Sequence, residues 1–282
     1  MWTNRLTRQQ ADAVRDLAER CRLADGVAPL NEDAQFALDD ASAQHLPLSP
    51  AGLPEVAGYL QWQPRHGTAQ LMVDPAGRRR GIGSKLLAGL ASRTAPELWA
   101  FGDLAPARGF AAAHALLPSR TLLMMTRSLA GVQPRAAREG VTLRGFTEAD
   151  ASQFLAVNAA AFADHPEQGG LDADGLARRV AEPWFDPEGL ILAFDADGLA
   201  GFHWTKAEHG VGEVYVVGVH PRAQGRGYGG LLLDAGLSHL AGKGLRTVEL
   251  YVDAADGIAV RMYEHAGFAE AHRDVLYAHT QE

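Results

Sequence analysis

The sequence predicts an α/β chain built on mixed, α+β-type sheets and consisting of two tandem copies of one domain. Three observations predict it. The chain has 282 residues, comfortable for two domains of roughly 100 to 150 residues each. Residues 73–87 (VDPAGRRRGIGSKLL) and 219–233 (VHPRAQGRGYGGLLL) share Val, Pro, Arg, two central Gly and two Leu at a constant spacing of 146 positions. Strand-like and helix-like segments alternate on both sides of that spacing.

The first copy reads as a helix over 7–24, strands near 55–62 and 68–73, a helix over 81–92, a strand over 97–101, a helix over 106–117 and a strand over 120–127. The segment after Leu129, poor in large apolar residues and holding Gly131, Pro134 and Gly140, reads as a linker. The expected division is 1–130, a linker over 131–139, and 140–282. The second copy opens with a strand at 141–144 and a helix over 148–163, for which Thr147 is a plausible N-cap. A loop over 165–170 and a helix over 173–181 follow. Strands at 190–194 and 199–205 surround Asp195-Ala-Asp-Gly198, a hairpin signal. Then come a strand over 213–219, a helix over 229–241 with Leu233, Leu237 and Leu240 on one stripe, a strand over 247–252, a helix over 257–265 and a last strand over 274–279.

Composition narrows the function. At 47% hydrophobic and 21% charged residues the chain is globular, and its net charge of −8 argues against broad nucleic-acid or anionic-membrane binding. A small ligand is expected. Cys21, the one cysteine, cannot form an internal disulfide and reads as a structural thiol on the first helix. With no span-length apolar run and no secretory signal, a cytoplasmic protein is expected.

The motif that carries chemistry is a strand running into a glycine-rich loop and a helix, over 216–230. Its glycines let backbone approach a ligand, and the helix start favours an anion. It lacks the Lys-Ser/Thr of a P-loop. The dinucleotide spacing G-x-G-x-x-G is formally present at Gly225, Gly227 and Gly230, but the first copy breaks it with Ser84. A Gln/Arg-x-x-Gly-x-Gly pattern fits both copies, as Gln224-Gly-Arg-Gly227-Tyr-Gly229 and Arg78-Arg-Arg-Gly81-Ile-Gly83.

With the preceding V-x-V-H-P and the closing Tyr263-Glu-His-Ala-Gly-Phe268, this pattern resembles the Gcn5-related N-acetyltransferase (GNAT) family, strongly in the second copy and weakly in the first. The resemblance implies acetyl-coenzyme A as co-substrate. Acetyl transfer to an amine then sets its own requirements. An α-amino group has a pKa near ~7.7 to 8, so a minor fraction is already nucleophilic at pH 7 and a carboxylate base suffices. The oxyanion needs a donor, which a bulged strand's N–H can supply, and the thiolate benefits from an acid. Glu213 is the candidate base and Tyr263 the candidate acid. Spacing across the repeat puts Gly67 opposite Glu213 and Phe110 opposite Tyr263, so the first copy is expected to be catalytically silent.

A closer resemblance covers 141–279. His165-Pro-Glu-Gln-Gly169, Trp184-Phe-Asp-Pro-Glu-Gly-Leu-Ile-Leu-Ala-Phe194, Gly201-Phe-His-Trp-Thr-Lys206 and Gly212-Glu-Val-Tyr-Val-Val-Gly-Val219 are similar to the mycothiol synthase family. That family's acceptor is the cysteinyl amine of Cys-GlcN-Ins. The resemblance implies substrate contacts at Glu32, Glu167, Lys206, Glu213 and Tyr251. It implies coenzyme contacts at Val217, Gly218, Val219, Gln224, Gly225, Arg226, Gly227, Tyr228, Gly229 and Gly230, and from Asp256 to Arg261. In the first copy they fall at Leu71, Met72, Val73, Arg79, Arg80, Gly81, Ile82, Gly83 and Ser84. Asp256 departs from the family, which carries Asn there. The expected partner is a small-molecule amine, with no nucleic acid or membrane, and a monomer is expected. His265, His272 and His279 span different elements, so no metal is expected. Two alternatives stay open: a GNAT enzyme for another small amine or a protein N-terminus, and a non-catalytic acetyl-CoA-binding module.

Overall fold

Contacts between elements divide the chain into two compact units, which are not simple sequence halves: Met1–Leu122 with Asp253–Ala255 and His272–Glu282, and Leu123–Val252 with Asp256–Ala271. The computed structural model describes residues 1–52, 55–133, 138–163 and 168–279.

The first unit begins with α1 (Arg8–Asp25), started by a capping box in which Thr7 accepts from the Gln10 N–H and Gln10 from the Thr7 N–H. Gly26 stops it in the left-handed region, at φ 75°. The short α2 (Glu32–Phe36), capped by Asn31, and β1 (Gln44–Leu48) follow, both absent from the sequence reading. Next come β2 (Gly58–Gln63), β3 (Thr68–Val73), α3 (Ile82–Ala91), β4 (Glu97–Ala100) and α4 (Ala105–Ala113). In this unit β1, β2 and β3 are antiparallel neighbours, and β4 joins β3 in parallel. Two apolar clusters pack the sheet, one centred on Leu60, Leu86 and Leu90 and one on Val14, Leu17 and Tyr59.

The second unit takes the end of β5 (Leu117–Ser128), then β6 (Thr142–Gly145), α5 (Ala151–Ala161), α6 (Ala173–Val180), β7 (Leu190–Asp195), β8 (Gly198–Glu208), β9 (Val211–Val219), α7 (Tyr228–Gly242), β10 (Thr247–Asp253) and α8 (Gly257–His265). The strand order is β6-β7-β8-β9-β10-β5. On one face Phe154 of α5 meets Phe202 edge-on at 4.7 Å and Trp204 at 5.7 Å; on the other, Leu233, Leu237 and Leu240 of α7 pack on Val214, Val248 and Leu250. Phe154 is fully buried, so Phe154→Ala is expected to cost about 3–5 kcal/mol, read as a lowered urea midpoint.

The last strand, β11 (Ala269–Ala278), pairs with β4 through Val275–Ala100, Leu276–Trp99 and Tyr277–Leu98. Residues from His272 onward therefore belong to the first unit, although the repeat would place them in the second. Asp274, buried, accepts from the Gly102 N–H at 2.7 Å, and Tyr277 donates to Asp103 at 2.7 Å. Cutting the chain at the linker removes β11 from one piece and β5 from the other. Fragments 1–130 and 140–282 expressed separately are accordingly expected to be insoluble or uncooperative in unfolding, whereas the whole chain unfolds cooperatively.

Candidate active site

β9 carries a bulge where the second unit needs one. Trp204 of β8 faces Val216, but Thr205 faces Val214, so Tyr215 is an extra residue. The bulge reverses the side-chain faces: Val214 packs on Leu233 and Leu237, whereas Val216 two residues on packs with Phe154 and Phe202. A bulge of this kind leaves its extra residue outside the regular ladder pairing.

β9 and β10 are parallel, and their register runs only over Gly212–Val248 and Glu213–Glu249. Beyond Glu213 the rest of β9, through Val217, Gly218 and Val219, leaves this register. Lys206 faces Glu213 across β8 and β9, and Tyr251 lies two residues from Glu249, so Lys206, Glu213 and Tyr251 share one face. Glu213 and Lys206 are half-buried and Tyr251 is exposed. The Lys206 ammonium sits 4.8 Å from the Trp184 ring and 5.9 Å from that of Tyr215, and 3.2 Å from Glu208. Arg179 donates to the Tyr215 hydroxyl at 2.7 Å. Trp184, Tyr215 and Arg179 were not singled out from sequence, because their chemistry resembles that of ordinary core and surface residues.

Tyr263 lies on the other face. It is buried on α8, edge-on to Phe268 at 5.8 Å and among Val248, Leu250 and Val252, whose positions alternate with Glu249 and Tyr251. Burial first, and the Asp256 charge second, push its hydroxyl up to about 12, so it holds its proton at neutral pH. The candidate base and acid thus flank the β9–β10 divergence from opposite faces.

The loop after β9 is shaped for an anion. Gly225 and Gly227 have φ of 72° and 80°, conformations that side chains resist, and no side chain caps the first turn of α7. Gln224 donates to the Val219 carbonyl at 3.2 Å, while Arg226 is exposed and the Tyr228 ring is buried. A Cβ on Gly229 would lie 3.3 Å from the Met262 sulfur. Arg222, Tyr228 and the Asp197 N–H all meet Asp195, at 2.9, 3.0 and 3.0 Å. The Arg222 guanidinium chiefly holds the Asp195 carboxyl down to about 2. A carboxyl lowered in the fold contributes stability above about pH 4, lost as pH falls toward 2. Acid titration of wild type and Asp195→Asn, followed by fluorescence, is expected to show a shallower loss between pH 4 and 2 in the variant.

Asp256 is exposed and accepts from the Ile258 and Ala259 N–H groups at 3.1 and 2.9 Å, capping α8; Arg261 is exposed on the same helix. Its carboxylate is engaged with backbone. Glu32 is half-buried at the start of α2, and Glu167 falls outside the described residues.

The first unit repeats the loop and changes the chemistry. Gly81 has φ 78° and α3 likewise has no side-chain cap. A cavity of about 500 Å³ is lined by Leu71, Met72, Val73, Arg79, Gly81, Ile82, Gly83 and Ser84, together with Phe110 and His114. Arg80 is exposed and outside that lining. Ser84 and His114 lie 3.0 Å apart. Cys21, 1% exposed, donates to the Val73 carbonyl at 3.4 Å, and burial pushes its thiol up, as a structural thiol requires.

Register corrects both cross-repeat equivalences by one residue. β2 and β3 pair without a bulge, so Thr68, opposite Gln63, occupies the place that Glu213 takes opposite Lys206. The constant spacing had placed Gly67 there because it ignored the extra Tyr215. After the helices, Ala115 and Gly267 hold equivalent left-handed positions, at φ 54° and 85°, which sets Ala111 rather than Phe110 against Tyr263. Phe110 instead matches Met262: a Cβ on Gly83 would lie 3.0 Å from its ring, as one on Gly229 meets Met262. Neither Thr68 nor Ala111 is a carboxylate base or a phenolic acid.

Comparison with known proteins identifies the family. The Acetyltransferase (GNAT) family pattern matches residues 159–268. A tandem GNAT protein from the clavulanic acid biosynthesis pathway superposes with a TM-score of 0.71, covering 98% of this chain and 97% of its own at 20% identity, and shares the fold. A GCN5-related N-acetyltransferase from Sphaerobacter thermophilus gives a TM-score of 0.68, with 98% and 94% covered at 24% identity. The family match and the relatives that follow make the chain an acetyl-CoA-dependent N-acetyltransferase of the GNAT class. The mycothiol acetyltransferase of Nocardia farcinica is 46% identical over 98% of this chain and 96% of its own length; that of Propionibacterium freudenreichii is 43% identical over 97% and 90%. The chain belongs to the mycothiol acetyltransferase family. No described helix is long and apolar enough to cross a membrane.

Proposed function

We propose that the chain acetylates the cysteinyl amine of Cys-GlcN-Ins with acetyl-CoA, giving mycothiol and CoA, at one active centre in the copy 140–282. The copy 1–130 is the silent one, and its cavity holds a second coenzyme. The observation that carries the single-centre reading is the bulged strand β9 with Glu213 at its head, which β3 replaces with an unbulged strand and Thr68.

Glu213 takes a proton from the acceptor amine, directly or through water, and the nitrogen attacks the thioester carbonyl. The backbone at the Tyr215 bulge donates to the oxyanion. As the C–S bond breaks, Tyr263 donates its proton to the sulfur, leaving CoA as the thiol. Val217, Gly218 and Val219 line the pantetheine arm, and Gln224 to Gly230 with the uncapped start of α7 hold the pyrophosphate. Lys206 donates to acceptor hydroxyls, while Glu32, Glu167 and Tyr251 accept or pack against the sugar-polyol. In the first copy Leu71 to Val73 and Arg79 to Ser84 serve the second coenzyme.

The test is thiol release from acetyl-CoA with Cys-GlcN-Ins as acceptor. Turnover is expected in wild type and in a Gly81→Val/Gly83→Val variant of the first loop. No turnover with Cys-GlcN-Ins, in protein that binds acetyl-CoA, overturns the acceptor assignment. Asp256→Asn keeps the helix cap and removes a negative charge near the coenzyme, so a roughly threefold lower KM for acetyl-CoA is expected, with little change in Tm.

A further inference from the structure

The two copies hold the helix that follows the glycine-rich loop to its sheet by different means. In the second unit His203 of β8 is fully buried, faces Val217 of β9 and donates from Nδ1 to the Leu232 carbonyl of α7 at 2.8 Å. The constant spacing of the two loops sets Leu71 against Val217, and Leu71 pairs with Leu60, so Leu60 takes the place of His203. The same spacing sets Leu90 against Gly236 and Ile82 against Tyr228. Leu60 and Leu90 are fully buried in one apolar cluster with Ile82. The fold itself therefore has no need of an imidazole at this place.

The ring is seated against the helix backbone. A Cβ on Gly236 would run into the His203 ring, so a side chain at 236 and a ring at 203 exclude one another. Histidine and glycine go together in one copy, as Leu60 and Leu90 do in the other. Burial pushes the imidazole down to about 4, so it is neutral with a single proton at working pH, and the carbonyl requires that proton on Nδ1. Nε2 is buried and has no partner among the described residues. Burying such a ring costs more than burying a leucine, and a carbonyl in mid-helix already accepts from the amide four residues on. What the bond adds is direction. Apolar packing lets a helix slide over a sheet, whereas a fixed donor sets one position. Leu232 lies about one turn from Tyr228, the first residue of α7, whose hydroxyl donates to Asp195 at 3.0 Å. The helix is thus tied at its start and again one turn on, where the first copy has isoleucine and leucine.

We infer that His203 is a positioning residue for the coenzyme: seated on Gly236 and bonded to the Leu232 carbonyl, it holds α7 in one place on the sheet. The Gln224–Gly230 loop then meets the pyrophosphate while Val217, on the strand facing His203, meets the pantetheine arm. The inference rests on the assignment of that loop to the pyrophosphate. Without the bond the start of α7 is ordered only when the coenzyme binds, so the cost falls on coenzyme affinity and not on proton transfer.

The test uses the whole chain and three variants: His203→Leu; His203→Leu/Gly236→Leu, which installs the pair of the first copy; and His203→Asn, whose amide can donate from the place of Nδ1. The KM for acetyl-CoA is expected to rise about five- to tenfold in both leucine variants and to stay within twofold of wild type in His203→Asn. Throughout, kcat and the KM for Cys-GlcN-Ins should stay within twofold. S-acetylpantetheine, which has the thioester arm but no pyrophosphate, separates this role from general loosening: its kcat/KM should be the same in wild type and the leucine variants. Hydrogen exchange provides a readout independent of activity, with amides in the first two turns of α7 exchanging faster in His203→Leu and at the wild-type rate in His203→Asn. An unchanged KM for acetyl-CoA in a cooperatively folded leucine variant overturns the inference. So does an equal loss with S-acetylpantetheine, or failure of both leucine variants to fold, since either marks a merely structural role. Wild type reports on the assignment beneath it: if it uses S-acetylpantetheine as well as acetyl-CoA, that assignment and the inference fall together.

Discussion

Glu213→Gln is expected to lower kcat for Cys-GlcN-Ins about a hundredfold near pH 7, within the range a positioned general base contributes. The amide preserves size and leaves the strand pairing to Lys206 and Glu249 intact, so the KM for acetyl-CoA and the Tm should change little. Only the proton acceptor is lost. Because the acceptor amine becomes largely neutral above about pH 8, the deficit should narrow as pH rises. Thr68→Val, at the matching place in the first unit, provides the internal control. It is expected to leave kcat within twofold of wild type, and a large loss there would mean that the unbulged strand also works.

Tyr263→Phe is expected to lower kcat by about ten- to thirtyfold, less than Glu213→Gln because a thiolate leaves more readily than an alkoxide. Its hydroxyl, pushed up to about 12 by burial, remains protonated throughout the working range. The basic limb of the wild-type pH profile therefore should not come from Tyr263. Phe keeps the edge-on contact with Phe268 and the surrounding apolar packing, so the variant should fold with wild-type cooperativity. A pre-steady-state measurement should show the slowed step in acetyl transfer itself.

The sequence was legible where local pattern decides structure. The loop glycines marked a strand, loop and helix start in both copies, where Gly81, Gly225 and Gly227 take left-handed conformations, and strands were marked at β8 and β9. Short polar elements were not legible. β1 contains Gln44, His45 and Pro47, and α2 has five residues, so neither offered a periodic apolar signal. The bulge was hidden for a different reason: burial along β9 continues to alternate through Tyr215 while the faces reverse, so no break appears in the pattern. That single residue moved the counterpart of Glu213 from Gly67 to Thr68. The pairing of β11 with β4 was out of reach as well, since it joins residues about 175 positions apart and no local pattern signals so distant a partner. The candidate site was partly legible. Lys206, Glu213 and Tyr251 came from family likeness and share a face, but the Trp184 and Tyr215 rings beside Lys206 emerged only once the strands were paired.

Two folded copies with one working centre is the central claim, and a single-turnover experiment tests it most directly. The chain is loaded with acetyl-labelled CoA, freed of excess, and mixed with saturating Cys-GlcN-Ins together with an excess of unlabelled acetyl-CoA. One labelled acetyl group per chain, or fewer, should appear as mycothiol, and Glu213→Gln should slow that transfer without changing the amount of label bound. Close to two labelled acetyl groups per chain, or fast transfer persisting in Glu213→Gln, would contradict a silent first copy.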